Sequence, residues 1–380
     1  MKICAIICEY NPFHNGHLYQ LREAKRLSGA DALLCIMSGN FVQRGESAVM
    51  DKYTRAKHAL QAGADAVIEL PTVFATSNAE LFAKGAISIL SAIPSVTTIC
   101  FGCENADKTA FKLAARYLNN EPADVSKKIQ EMVASGASFA KARANAWAGY
   151  IPMDLLCSPN NILGLEYTRA ILAKDANIDI LPIQRVGSGY NETKLENNYS
   201  SATAIRTAIK NGECVENHTP AFILEDLPPQ VEHLLEPLEK HAILSMDKAT
   251  LARVCDCTEG LENAFKKAAE NSASLIETLT SARYTTARIR RIALHALLGI
   301  EESLIRECLA NPLYIKLLAI KKDSANFLNV LSLSPLPIIA RAHDEDKLGE
   351  TAKKCLEKDI YAEKIYKLLY PETKKRAIFY

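Results

Sequence analysis

The sequence predicts an α/β fold, a doubly wound parallel sheet, followed by a mostly helical C-terminal part. Three observations carry this. Short apolar runs at residues 3–8, 31–37, 65–70, 96–101 and 178–183 alternate with helical stretches, the rhythm of βαβ units. The unusual polar residues fall where these runs end, which is where ligands bind in such sheets. Beyond residue 237 the alternation stops, and Leu, Ala, Lys and Glu set a helical pattern.

The first run, Ile3-Cys4-Ala5-Ile6-Ile7-Cys8, suits a strand buried on both faces. Asn11-Pro12 marks a turn, and Pro12 keeps Asn11 out of the helical region. Leu18, Leu21, Arg22, Lys25 and Leu27 then fit an amphipathic helix from about Gly16 to Gly29. Helical stretches at 50–63 and 79–93 separate the next strands, and 106–150 reads as Ala- and Lys-rich helix with Trp147, the single tryptophan. Residues 158–161 read as a turn, 163–172 as a helix, and Ser200 to Arg206 as the beginning of another helix with serine caps at its start. Pro220, Pro228, Pro229 and Pro237 interrupt the chain thereafter. The expected organisation is a catalytic domain over 1–212, a linker over 213–237 and a helical domain over 238–380.

Composition narrows the classes. No stretch nears the roughly 18 apolar residues a spanning helix needs, and the N-terminus has no basic region before its apolar run, so a cytoplasmic protein is expected. Eleven cysteines include Cys4, Cys35 and Cys100 inside apolar runs, where free Cys acts as a small hydrophobe. Cys100 and Cys103, and Cys255 and Cys257, lack a clear companion pair for zinc. The net charge of +1 conceals an asymmetry: residues 1–239 carry 22 basic and 26 acidic groups, residues 240–380 carry 23 and 18. The second part is the expected polyanion surface.

The stretch Glu9 to His17 carries the chemistry. A helix start offers unpaired main-chain N–H groups and a partial positive charge to an anion, and Gly16 leaves room for a phosphate. His14 and His17 would donate to oxygens that gain charge as an α-phosphate is attacked and pyrophosphate leaves.

These residues resemble a known family. His14-Asn15-Gly16-His17 after an apolar strand is similar to the H-x-G-H signature of the nucleotidylyltransferases. The longer string from Glu9 to His17, with Ser38 to Glu46 and Asp65 to Pro71, resembles the bacterial tRNA(Met) cytidine acetate ligases. The resemblance implies acetyl-adenylate formation from acetate and ATP, then acetyl transfer to N4 of the wobble cytidine of elongator tRNA(Met). It implies ATP contacts from Ile7, Cys8, Glu9, Tyr10, Asn11, Pro12, Phe13, His14, Asn15, Gly16, His17, Leu18, Tyr19 and Gln20, and from Gly102, Asn160 or its neighbour Asn161, and Arg185. Ser201, Thr203 and Arg206 resemble the family's second phosphate element. Mg²⁺ is expected with ATP, and no ligand cluster for it is evident.

Lys52, Arg55 and the segment Gln43 to Glu46 are expected to support phosphate or tRNA contact. Arg283, Arg288, Arg290 and Arg291 beside Tyr284 form the densest basic run and the expected tRNA grip. Lys374-Lys375-Arg376 is a weaker one. The residues alone also leave open an enzyme adenylating a small cofactor precursor, or a non-enzymatic RNA-binding protein.

Overall fold

The computed structural model describes residues 1–137, 139–187, 195, 198–228, 235–322, 325–371 and 378–379. Ser188, Gly189 and the Lys374 to Arg376 run lie outside them.

Strands β1 (Ile3–Cys8), β2 (Ala32–Ser38), β5 (Ala66–Leu70), β6 (Val96–Cys103) and β7 (Asp179–Gln184) pair in parallel in the order β5-β2-β1-β6-β7, with β3 (Phe41–Val42) and β4 (Glu46–Ser47) forming a small hairpin after β2. The chain runs outward from β1 through β2 to β5, then returns to β6 on the other side. The switch point lies between β1 and β6, and that is where a crevice opens.

Helices α1 (Asn15–Ser28), α2 (Lys52–Gln61), α3 (Thr72–Ala75), α4 (Ala79–Leu90), α5 (Lys108–Asn119), α6 (Ala123–Ala134), α7 (Phe139–Trp147), α8 (Met153–Cys157), α9 (Pro159–Ala173) and α10 (Ala202–Lys210) fill the N-terminal part. Period-two alternation divides the sheet's side chains between two cores. Ile3, Ala5 and Ile7 of β1 pack with residues of α4, α5 and α9, whereas Cys4, Ile6 and Cys8 pack with residues of α1 and α2. Gly29 closes α1 in the left-handed region (φ 58), as the sequence suggested. Ser158 to Asn161 differ from the expected turn: Pro159 opens α9, since its missing N–H costs nothing at a helix start.

The C-terminal part holds α11 (Ala221–Leu224), α12 (Leu235–Ser245), α13 (Lys248–Ala252), α14 (Leu261–Ala269), α15 (Leu275–Leu279), α16 (Thr286–Leu298), α17 (Glu302–Ala310), α18 (Ala325–Leu331) and α19 (Glu350–Leu369). It is mostly helical and also carries strands. Strand β8 (Ile315–Ile320) joins the sheet antiparallel to β5, and β9 (Ile338–Ile339) and β10 (Ile378–Phe379) pair with β8. Ile223, Leu318 and Ala319 share one core with β1, β2 and α2. The region beyond 238 therefore completes the sheet rather than standing apart; β5 would otherwise be an exposed edge. Among the described residues no helix is long and apolar enough to cross a membrane.

Candidate active site

The site is built where β1 runs out. Tyr10 takes a left-handed turn (φ 49), its ring lies edge-on to Phe13 and His17 at 4.7 and 4.8 Å, and its hydroxyl is 3.6 Å from the Cys35 thiol. The Asn11 carboxamide oxygen accepts from Val49 N–H at 2.8 Å, and Glu9 Oε1 accepts from Gln43 N–H at 2.7 Å. Buried Arg55 donates to the carbonyls of Glu9 (2.6 Å), Ser38 (3.2 Å), Met50 (2.9 Å) and Gly39, tying the ends of β1 and β2 together.

His14 is the N-cap of α1. Its Nδ1 accepts from Gly16 N–H at 3.1 Å, and His17 Nδ1 accepts from His14 N–H at 3.3 Å, a capping box made by two imidazoles. The rings stack with centroids 3.7 Å apart and 25° between planes. A nitrogen that accepts carries no proton, so each neutral ring holds its proton on Nε2. Burial, then the neighbouring His17, Arg185 and Arg206, push His14 well below its ordinary 6.5; burial and Arg185 lower His17 to about 3. At neutral pH the pair presents two uncharged N–H donors.

The α1 start corrects two expectations. Its first main-chain donors are already taken: Asn15 N–H by the His218 carbonyl, Gly16 N–H by His14 Nδ1 and His17 N–H by the His14 carbonyl. A Cβ on Gly16 would lie 2.9 and 3.0 Å from Cε1 and Nδ1 of His14, so the glycine makes room for the histidine rather than for a phosphate. The open main-chain donors belong to α10. Ser201 caps Ala204 N–H at 3.1 Å, and the N–H groups of Ala202 and Thr203 have no protein partner among the described residues. Arg206 donates to the Asn11 carbonyl at 2.7 Å and to Thr203 Oγ1 at 3.3 Å, so α10 is fixed against the β1 loop.

One cleft, with about 1090 Å³ of empty volume including its open mouth, brings together Ile7, Cys8, Glu9, Tyr10, Asn11, His14, His17, Gln20, Gly102, Asn160, Arg185, Ser201, Thr203 and Arg206. Gly16 and Tyr19 line an adjoining recess that shares His14, His17, Gln20, Gly102 and Arg185 with it. Pro12, Phe13, Asn15 and Leu18 are placed otherwise. Pro12 and Phe13 are buried, Leu18 packs on the core, and Asn15 Nδ2 donates to the carbonyls of Asn198 and Asn217 at 2.9 Å each. Asn160 faces the cleft, held by Glu104 Oε1 at 2.6 Å; Asn161 is buried and accepts from Glu104 and Asn105 N–H.

Lys52 and Arg55 are buried and do not line the cleft. Lys52 is 1 % exposed and lies 3.0 Å from Glu69 and 3.1 Å from Glu363. Of the arginine run, Arg291 is buried beside Asp256 (3.7 Å) and Arg290 pairs with Glu46 at the cleft rim, which corrects their assignment to an open tRNA surface. Arg283 is exposed, and its guanidinium and that of Arg288 lie 5.4 and 5.3 Å from the Tyr284 ring centre. The cleft also holds Val42, Phe82, Phe101, Leu163 and Tyr167, which the sequence did not single out: on strands and helices their spacing reads as core. The cysteines are free thiols, Cys103 donating to the Ile183 carbonyl at 3.5 Å, and among the described residues no group of three or more His, Cys, Asp or Glu is placed to hold a metal ion.

Two expected results arise here. A Cβ at Gly102 would meet only Arg185 Cγ at 3.5 Å, an ordinary contact. Gly102→Ala should therefore leave the melting temperature in thermal unfolding unchanged. Buried His295, 2.9 Å from Thr76 Oγ1, is likewise held down to about 3. Between pH 6.5 and 3 the unfolded chain thus binds more protons than the folded one, so stability rises with pH through that window and is lost on acidification. Urea unfolding at pH 7.5 and 5.5 should show this fall, and His295→Gln should flatten it; an unchanged slope would contradict the buried neutral ring.

Stacked imidazole donors at the switch point of a parallel sheet, with a second helix start and an arginine lining the same cleft, define a nucleotidyl transferase of the HIGH class, and the HIGH Nucleotidyl Transferase family model matches residues 1–378. Within that class, a tRNA(Met) cytidine acetate ligase of Thermoanaerobacter sp. (strain X514) is 39 % identical over 98 % of this chain and 96 % of its own, and one from Thermosipho melanesiensis is 35 % identical over 99 % and 96 %. The chain belongs to the tRNA(Met) cytidine acetate ligase family. The apo crystal structure of Thermotoga maritima TmcAL superposes with a TM-score of 0.91 at 30 % identity, covering 100 % of this chain and 99 % of that one. The same protein bound with alpha-thio ATP gives 0.87 at 31 %, covering 99 % and 96 %.

Proposed function

We propose that the protein joins acetate to the α-phosphate of ATP and passes the acetyl group to N4 of the wobble cytidine of elongator tRNA(Met). The stacked pair of neutral histidines carries this reading, since both Nε2–H donors are held in one place by the helix cap and line the same cleft as the start of α10.

Acetate is already an anion at neutral pH and needs no base. Its oxygen bonds to the α-phosphorus as the bond to pyrophosphate breaks. His14 and His17 offer hydrogen bonds to the oxygens that gain charge, and Arg185, Arg206 and the α10 start offset the repulsion between two anions. The cytidine amine then attacks the acetyl carbonyl, AMP leaves with the bridging oxygen, and the amine gives up a proton. Mg²⁺ would come with the triphosphate, held by phosphate oxygens and water rather than by a protein cage. Residues 1–212 form the nucleotide-binding part in this reading, and the surface around Arg283, Tyr284 and Arg288 meets the RNA. Replacing both Arg283 and Arg288 by Gln should weaken tRNA binding and lower the salt slope of binding by about 2, one for each phosphate no longer gripped, with acetate-dependent ATP turnover unchanged. An unaltered salt slope would remove that surface.

The test of the whole reading incubates the protein with ATP, labelled acetate and bulk tRNA, followed by digestion to nucleosides. Labelled N4-acetylcytidine is expected; ATP consumed with the label transferred elsewhere would refute the acceptor.

A further inference from the structure

The part of the cleft that ATP contacts leave unassigned has a chemistry of its own. Phe82 of α4, Phe101 of β6, and Leu163 and Tyr167 of α9 line the cleft, as does Ile7, and Phe101 and Tyr167 are in ring contact. Ile7 and Phe101 point to the sheet face covered by α4 and α9, whereas Cys8 and Tyr10 share their core with α1. The apolar residues thus lie across the sheet's carboxyl rim from the histidine-bearing helix. An in-line displacement needs the incoming oxygen opposite the departing one, so with pyrophosphate beside the histidines and α10, the acid enters from this apolar side.

The apolar floor is small and firm. Phe82, Phe101 and Tyr167 are 2, 4 and 4 % exposed. For rings of about 200 Å² that is under about 10 Å² each, enough for a methyl group and too little for a stacked base. Gly164 is occupied in effect by the Phe101 ring, which a Cβ there would penetrate, and Phe101 is wedged further by Phe111 (5.2 Å) and Tyr167 (5.9 Å).

We propose that Phe82, Phe101, Leu163 and Tyr167 form the acyl pocket, which seats the methyl group of the short carboxylic acid and excludes longer chains. The proposal rests on the acetate-activating reading above. With the methyl on this floor, the carboxylate is left toward the polar part of the cleft that holds His14 and His17. A rigid pocket of this kind separates acids differing by one methylene by about 10- to 200-fold, so wild-type protein should prefer acetate to propionate by that factor.

The test measures pyrophosphate release with ATP, tRNA and acetate, propionate or butyrate for the wild type, Leu163→Ala and the milder Phe82→Leu, with circular dichroism as the check on folding. Leu163 is only half-buried, so its truncation leaves the core standing. The ratio of kcat/KM for acetate over propionate should fall about tenfold or more in the variants, with KM for ATP within twofold of wild type. A raised KM for ATP with the acid ratio unchanged would overturn the proposal and give the floor to the nucleotide base; no change in either would also overturn it. Wild-type protein that releases no pyrophosphate with any acid would refute the acetate-activating reading itself.

Discussion

His14→Asn and His17→Gln should each lower acetate-dependent pyrophosphate release by about 10²- to 10³-fold, the cost of one well-placed transition-state donor. The choice of replacements isolates chemistry from folding. Asn is a favoured N-cap, and Gln at the third helical position reaches back to the cap N–H as His17 now does. Both variants should therefore melt within a few degrees of wild type. The double variant should lose less than the product of the two, because the stacked rings act on the same departing group. Release within about tenfold of wild type by either folded variant would remove the pair from the reaction. Because His17 titrates near 3, kcat should show no ionisation from the pair around pH 6.5.

Lys52→Met should cost about 3 kcal/mol of stability or more, measured by urea unfolding. Its ammonium is 1 % exposed between Glu69, 2 % exposed, and Glu363, and removing it strands buried carboxylate charge. Lys316, 2.8 Å from Glu69 and 3.4 Å from Asp359, keeps part of the balance and sets the lower end of that range. Tyr314 donates to Asp359 at 2.8 Å, and Asp359 accepts from Thr72 N–H at 2.7 Å, so one buried polar network joins β5, α3, β8 and α19. The attraction of Lys52 and Lys367 holds Glu363 down to about 2 despite its burial. Glu363→Gln added to Lys52→Met should recover part of the loss. Whatever fraction remains folded should bind tRNA and ATP as wild type does, since Lys52 is buried and does not line the cleft; a selective loss of RNA affinity would instead support the reading its sequence position suggested.

That contrast explains what could be read from the chain. The loop from Glu9 to His17 was legible because strand, turn and helix signals meet within fifteen residues, and the start of α10 because a serine cap opens the helix that carries Arg206. Which atoms serve was not legible: that Gly16 yields to His14, or that the first α1 amides are spent while those of Ala202 and Thr203 have no partner among the described residues, depends on ring positions and on the distant His218 carbonyl. Lys52 and Arg55 follow a cap and look solvated until Glu363 and the ends of β1 and β2 close around them. β8 pairs with β5 some 250 residues earlier in the chain, and no local pattern announces a partner so remote. Phe82, Leu163 and Tyr167 carry the helical spacing of core residues, and Phe82 and Tyr167 are buried as that spacing suggests, so their place along the cleft shows only in the structure.

The central claim is that acetate attacks the α-phosphorus in this cleft. Supplying acetate labelled with ¹⁸O in both oxygens, with ATP and tRNA, and analysing the AMP by mass spectrometry tests it directly. One ¹⁸O should appear in the AMP phosphate, carried there as the bridging oxygen of acetyl-adenylate. AMP free of label, or ADP and phosphate as the products, would contradict it.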